Sequence, residues 1–145
     1  MLGDTARRGL AAYLAVAQRL IELGFEVLVP VGNHLSYDLA YYVAASWGQK
    51  AQLVRIQCKS ARLSKDKTCL LFNAYNLGGE GKRQKQGYQG YIEYFSIYSP
   101  DTRKVYMIHV DECYVGEMSF RLTLTGKRGK NQFSEGVRWA QDYEI

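Results

Sequence analysis

The clearest period in this chain is its first, and it limits what can follow. From about Asp4 to Leu23, apolar Leu10, Leu14, Ala17 and Ile21 recur at i, i+4, i+7 and i+11, one stripe of an amphipathic helix. Arg7, Arg8, Gln18, Arg19 and Glu22 occupy its other faces, and Gly24 stands where a helix is stopped. Past Gly24 the helical spacing gives way to strand patterns. Phe25 to Val29 reads as a strand ended by Pro30 and the Gly32-Asn33 turn, and Tyr37 to about Ala45 as the next. Trp47-Gly48-Gln49-Lys50 reverses the chain into a strand from Ala51 to Ser60, and Thr68 to Tyr75 follows the charged turn Ser64-Lys65-Asp66-Lys67. One long helix and then a run of antiparallel strands is an α+β signature.

The second half alternates strands with basic, glycine-rich segments. Asn76 to Gly90 reads as a loop carrying Gly78, Gly79, Gly81, Gly87 and Gly90 with Lys82, Arg83 and Lys85 between them. A loop of that length suits wrapping a nucleic-acid backbone, or is simply a solvated connection. Ile92 to Tyr98 and Val105 to Val110 read as a hairpin joined through Ser99-Pro100-Asp101-Thr102, with Pro in the favoured turn position. Met118 to Leu124 alternates Phe120, Leu122 and Leu124 against Ser119, Arg121 and Thr123, again a strand. Gly126 to Gln132 is a second basic loop. It leads to a short helix expected from Ser134 to Asp142, with Ser134 as N-cap and Val137 and Ala140 facing inward.

At 145 residues the chain is read as a single domain, 1–145, large enough to bury an ordinary core. The hydrophobic share of 47% and charged share of 23% are those of a soluble globular protein, without a membrane-length apolar run or a signal-peptide layout. Net charge is +5, which fits a polyanionic partner. Cys58, Cys69 and Cys113 are an odd set without zinc spacing, so free thiols in a reducing, cytoplasmic setting are expected.

The chemistry concentrates at Tyr37-Asp38-Leu39 and at Leu53-Val54-Arg55-Ile56-Gln57-Cys58-Lys59-Ser60. On a strand, residues two apart share a face roughly 7 Å apart, so Gln57 and Lys59 project together while Ile56 and Cys58 point into a core. If the Asp38 segment pairs beside this strand, one face carries a carboxylate, an amide oxygen and an ammonium. Such a set can hold Mg²⁺ through hard oxygens, with the Lys on the attacking water of a phosphodiester hydrolysis. The bland alternative is a half-exposed strand with a solvated Lys59 and with Asp38 as a turn residue. His34 precedes Asp38 and reads first as a solvated loop residue, and His109 as a satisfied edge residue. No Ser/His/Asp or Cys/His set and no P-loop is present. Asn131 and Gln132 are side-chain types that read adenine edges, and the loop cations near them can grip phosphates.

Taken in order, several segments together resemble the PD-(D/E)XK endonucleases associated with group I introns, small bacterial homing enzymes of the restriction-endonuclease-like fold. They are the helix ending at Gly24-Phe25, Val29-Pro30-Val31-Gly32-Asn33 leading to Tyr37-Asp38-Leu39, and Val54-Arg55-Ile56-Gln57-Cys58-Lys59-Ser60-Ala61-Arg62. Tyr88-Gln89-Gly90-Tyr91-Ile92-Glu93-Tyr94-Phe95, Tyr98-Ser99-Pro100-Asp101 with Val105-Tyr106, and Gly136-Val137-Arg138-Trp139-Ala140 complete the match.

The resemblance implies Asp38 as the metal carboxylate, Gln57 in the (D/E) slot, the Cys58 backbone carbonyl as a further ligand and Lys59 as the catalytic lysine. It implies an α+β fold with a central mixed sheet flanked by the N-terminal helix and C-terminal elements, Mg²⁺ with Mn²⁺ as a substitute, and double-stranded DNA cut by a homo-oligomer, dimer or tetramer. Arg55, Arg62, Lys82, Arg83, Lys85, Lys127, Arg128, Lys130, Asn131 and Gln132 are the expected DNA contacts. The sequence departs from the family at the first helix, which normally presents a Glu to the metal. Aligning back from Asp38 puts Tyr13 there and aligning from Gly3-Asp4 puts Arg7 there, leaving Asp4 or Glu22 as acids that could reach in. A homologue that binds DNA without cutting it, and more distantly an RNA-binding module, are the alternatives.

Overall fold

The computed structural model describes residues 1, 3–77, 84–124 and 136–145. Helix α1 spans Asp4–Glu22 and stops where expected. Leu23 closes it, and Gly24, at φ 88°, turns the chain so that the Phe25 amide donates back to the Leu20 carbonyl at 3.0 Å. Only glycine adopts that backbone without strain.

Eleven residues of α1's sequence are apolar in more than one direction, and the expected stripe is not the one the fold buries. Ala12, Val16 and Leu20 are buried, whereas Leu10, Leu14 and Ile21 stay 48%, 56% and 62% exposed. The physical reason is size. Ala12 and Val16 are short and let the helix axis approach the sheet closely, while Leu10 and Leu14 on the neighbouring face would hold it off.

The strands in chain order are β1 (Glu26–Leu28), β2 (Leu39–Val43), β3 (Gln52–Ser60), β4 (Arg62–Leu63) and β5 (Cys69–Asn73). There follow β6 (Asn76–Leu77), β7 (Lys85–Gln86), β8 (Tyr94–Ser99), β9 (Lys104–His109) and β10 (Glu117–Arg121). The main sheet runs β1-β2-β3-β8-β9, antiparallel throughout except that β3 and β8 are parallel, so it is mixed as expected. A second sheet, β10-β5-β4, covers its other face.

Period-2 alternation separates two cores. Val16 and Leu20 of α1 pack on Leu39, Tyr41, Val54, Ile56 and Val105. On the opposite face Phe95, Ile97, Tyr106 and Ile108 meet Phe72, Met118 and Phe120 of the second sheet. β8 and β9 form the anticipated hairpin, with the Arg103 amide bonded to the Ser99 carbonyl at 2.7 Å.

Two expectations change. The segment expected as a loop from Asn76 to Gly90 is paired at its base, where β6 and β7 form an antiparallel ribbon. The expected helix from Ser134 to Asp142 is not formed in its described part: Ser134 lies outside the described residues, and only Ala140–Asp142 makes a single 3₁₀ turn. Gly136 at φ 91° leaves helical space, and the Arg121 amide bonds the Arg138 carbonyl at 2.7 Å, drawing this stretch alongside β10 instead. Among the described residues no helix is long and apolar enough to cross a membrane.

Candidate active site

The site forms where β3 outruns its neighbour. β2 begins at Leu39, opposite Ile56, so β3 continues from Gln57 to Ser60 without a strand on that side. The residue just before β2 covers part of the gap. The Asp38 amide donates to the Ile56 carbonyl at 2.8 Å, and its carboxylate Oδ2 accepts from the Cys58 amide at 2.8 Å and from Gln57 Nε2 at 2.6 Å. A side chain thus replaces a ladder bond at an open strand edge. Gln57 and Lys59 share a face of β3, opposite to that of Val54, Ile56 and Cys58, which belong to the α1 core. The Lys59 ammonium donates to the Tyr75 carbonyl at 3.1 Å and lies 5.1 Å from the centre of the Tyr88 ring.

Both charges of this site sit where burial opposes them. Burial pushes the Asp38 carboxyl up from its ordinary value, against the Cys58 amide, Lys59 and Gln57, which pull it down. Burial lowers the Lys59 ammonium, and the neighbouring Asp38 restores only part of the loss. The Cys58 thiol is driven far up by the same burial and by Asp38, so it is no nucleophile.

Tyr13 lies on the α1 side, packed at the margin of the core that includes Cys58. Its hydroxyl is raised first by burial and then by the charges of Cys58 and Asp38. Arg7 does not: it pairs with Asp4 at the exposed start of the helix. Glu22, at the far end of α1, is engaged by Gln18 and Arg19.

The expected DNA contacts fall into three groups. Arg55 is clasped by Glu93, with Nη2 to Oε1 at 2.6 Å and its own amide to Oε2 at 2.6 Å. Arg62 pairs with Glu117, and Lys85 places its ammonium 4.6 Å from the Tyr75 ring centre. Lys82, Arg83, Lys127, Arg128, Lys130, Asn131 and Gln132 lie outside the described residues. His34 is exposed, and His109 accepts from the Asp111 amide at 3.2 Å and stacks edge-on against Tyr94. Sequence reasoning missed Tyr75 and Tyr88 as the setting of Lys59. A backbone carbonyl leaves no mark in a sequence, but the aromatic run beginning at Tyr88 was a visible signal.

A family model of PD-(D/E)XK endonucleases matches residues 3–145. The chain belongs to the PD-(D/E)XK endonuclease family. Its fold is also that of a solved bacterial homing endonuclease, I-Ssp6803I, with a TM-score of 0.73 and 23% identity over 98% of this chain and 89% of that one. No curated protein sequence matches the chain.

The donor chemistry suits one divalent cation and falls short of two. Asp38 offers one anionic oxygen set, and a half-turn of the Gln57 amide presents Oε1 in place of Nε2. In an extended strand a residue's N–H and C=O share a side, so the Cys58 carbonyl opens onto the same uncovered edge. These are the hard oxygens that Mg²⁺ takes, with water completing its shell. Among the described residues no group of three or more His, Cys, Asp or Glu could hold a metal.

Proposed function

We propose that this chain is a metal-dependent, sequence-specific double-strand DNA endonuclease of intron-homing type. The observation that carries the reading is the Asp38–Gln57 contact at 2.6 Å with Lys59 two residues along the same face, at an open strand edge. Asp38, Gln57 and the Cys58 carbonyl would hold one Mg²⁺ or Mn²⁺. The bound ion would supply phosphoryl polarisation and a water of lowered pKa. Lys59, lowered by burial and held at the Tyr75 carbonyl, is suited to orient the attacking water and take part in its proton transfer.

The β6–β7 ribbon begins beside Tyr75, whose carbonyl holds Lys59, and pairs Asn76 opposite Gln86, both exposed. A two-stranded ribbon fits a major groove, and amide side chains pair with adenine edges there, so this ribbon is suited to read bases. Sequence-specific reading by so short a chain requires more than one copy, and two-fold symmetry sets two sites across the two strands. The exposed stripe of Leu10, Leu14 and Ile21 is apolar surface for such a contact. A light-scattering mass of one chain at micromolar concentration would remove that part of the proposal.

That the described residues bring a single acid to the site favours one rival reading, a homologue that grips duplex DNA and no longer cuts it. Incubating supercoiled plasmid with the protein and Mg²⁺ or Mn²⁺ separates the two. Nicking by the wild type that falls about 10²-fold or more in Lys59→Ala is the expected result. Salt-sensitive duplex binding without any nicking would give the case to the rival.

A further inference from the structure

A groove of about 300 Å³ runs between the first turns of α1 and the end of β3, lined by Thr5, Arg8, Gly9, Lys59, Ser60 and Arg62 among others. Lys59 contributes to its wall, while its ammonium lies on the other face of β3 at the Tyr75 carbonyl, so the groove flanks the site across the strand. Its polar lining is made of donors: two guanidinium groups and two hydroxyls, with no carboxylate among the residues that form it. Arg8 makes no ion pair with any described residue. Arg62 is paired with Glu117, but both side chains are about half exposed, and such a pair is readily exchanged for another anion. At about 30 Å³ per water, the space holds a hydrated anionic group with room to spare.

Gly9 is the second observation. It lies inside α1, where glycine is the poorest residue after proline. Nothing in the fold asks for it, since a Cβ added there would meet nothing within 4 Å. A helix weakened without an internal reason, at the wall of a cationic groove, leaves room for something outside the chain to come close.

Resting on the endonuclease reading, we infer that this groove seats a backbone phosphate of the DNA strand next to the scissile one. Arg8 supplies the charge and Gly9 the clearance, while Thr5 and Ser60 donate hydrogen bonds. The site carries no base information; it sets the duplex's register on the enzyme.

Binding of a mixed-sequence duplex, measured without divalent metal over a series of salt concentrations, tests this. Arg8→Gln should lower the magnitude of the salt slope by about 0.9, one phosphate contact, and Gly9→Gln should weaken binding about tenfold. The Tm of Gly9→Gln should equal or exceed that of the wild type, because glutamine is the better helix former, so weaker binding could not be blamed on unfolding. Wild-type affinity and slope in both variants would overturn the assignment. So would a Tm rise on adding inorganic phosphate that Arg8→Gln abolishes while duplex binding is untouched, since that marks a small-anion site. A wild type that binds no duplex at all would instead remove the endonuclease reading, and the groove's role with it.

Discussion

The two ends of β3's polar face carry the same kinds of charge and treat them in opposite ways. At Arg55 the guanidinium meets Glu93 through several hydrogen bonds, the Arg55 amide donates to the same carboxylate, and the Glu93 amide returns to the Arg55 carbonyl at 3.0 Å. There the Glu93 carboxyl is held below its ordinary value by Arg55 against a burial that pushes it up. Two turns of the pleat further on, Asp38 is raised and Lys59 is lowered, each chiefly by burial, and the ammonium bonds a carbonyl rather than the carboxylate. The first end stabilises strand order; the second holds charge where the fold alone would not keep it. On the proposed endonuclease reading, a cation at Asp38 and a phosphate near Lys59 are the partners that would offset this burial.

The sharpest way to break the contrast is Asp38→Asn. Plasmid nicking should fall by at least about 10²-fold, because the only anionic oxygens that the described residues bring to the site are gone. Stability should move the other way. A carboxyl whose folded pKa is raised favours the fold below its unfolded pKa and loses that contribution as pH rises through the folded value, so at pH 7 ionised Asp38 does not help. Asparagine keeps an acceptor for the Cys58 amide, and a Tm equal to the wild type's or a few degrees higher at pH 7 is the expected outcome of a thermal melt. A Tm well below the wild type would make Asp38 a structural residue of the Arg55–Glu93 kind. Tyr13→Glu sharpens the same contrast by adding an acid on the helix side of the gap. The Mg²⁺ concentration giving half-maximal nicking should drop about tenfold, and a titration with no change would place the side chain out of reach of the ion.

How much of this was legible depended on the distance between signal and consequence. Asp38, Gln57 and Lys59 could be placed on one face because strand alternation is rigid, and β2 pairs with β3 in the register that brings Leu39 opposite Ile56. The β8–β9 hairpin followed from turn residues and apolar runs in the same local way. The buried face of α1 was not legible, since Leu10-Leu14-Ile21 and Ala12-Val16-Leu20 are both helical stripes and only close packing chooses between them. Nor was the Arg55–Glu93 clasp, whose partners are 38 residues apart and whose geometry needs β3 and β8 to be parallel neighbours. The segment after Gly136 read as helix by composition, but a backbone bond to β10 overrides so weak a propensity.

The smallest expected effect comes from the satisfied end. Glu93→Gln keeps the shape and removes the charge, so Arg55 loses its ion pair while the amide contact to its backbone survives. Both side chains are about one-third exposed, which limits the loss to about 1 kcal/mol and a fall in Tm of about 3–5 °C. The pH dependence identifies the cause. Because Glu93's folded pKa is depressed, its contribution is present above the ordinary glutamate value and lost as pH falls through the folded one. The gap between wild type and Glu93→Gln should therefore be full at pH 7 and close as the buffer is taken toward pH 3. Nicking per folded molecule should not change. A variant that keeps its Tm and loses nicking would give Glu93 a catalytic role, as a second acid beside Asp38 among the described residues.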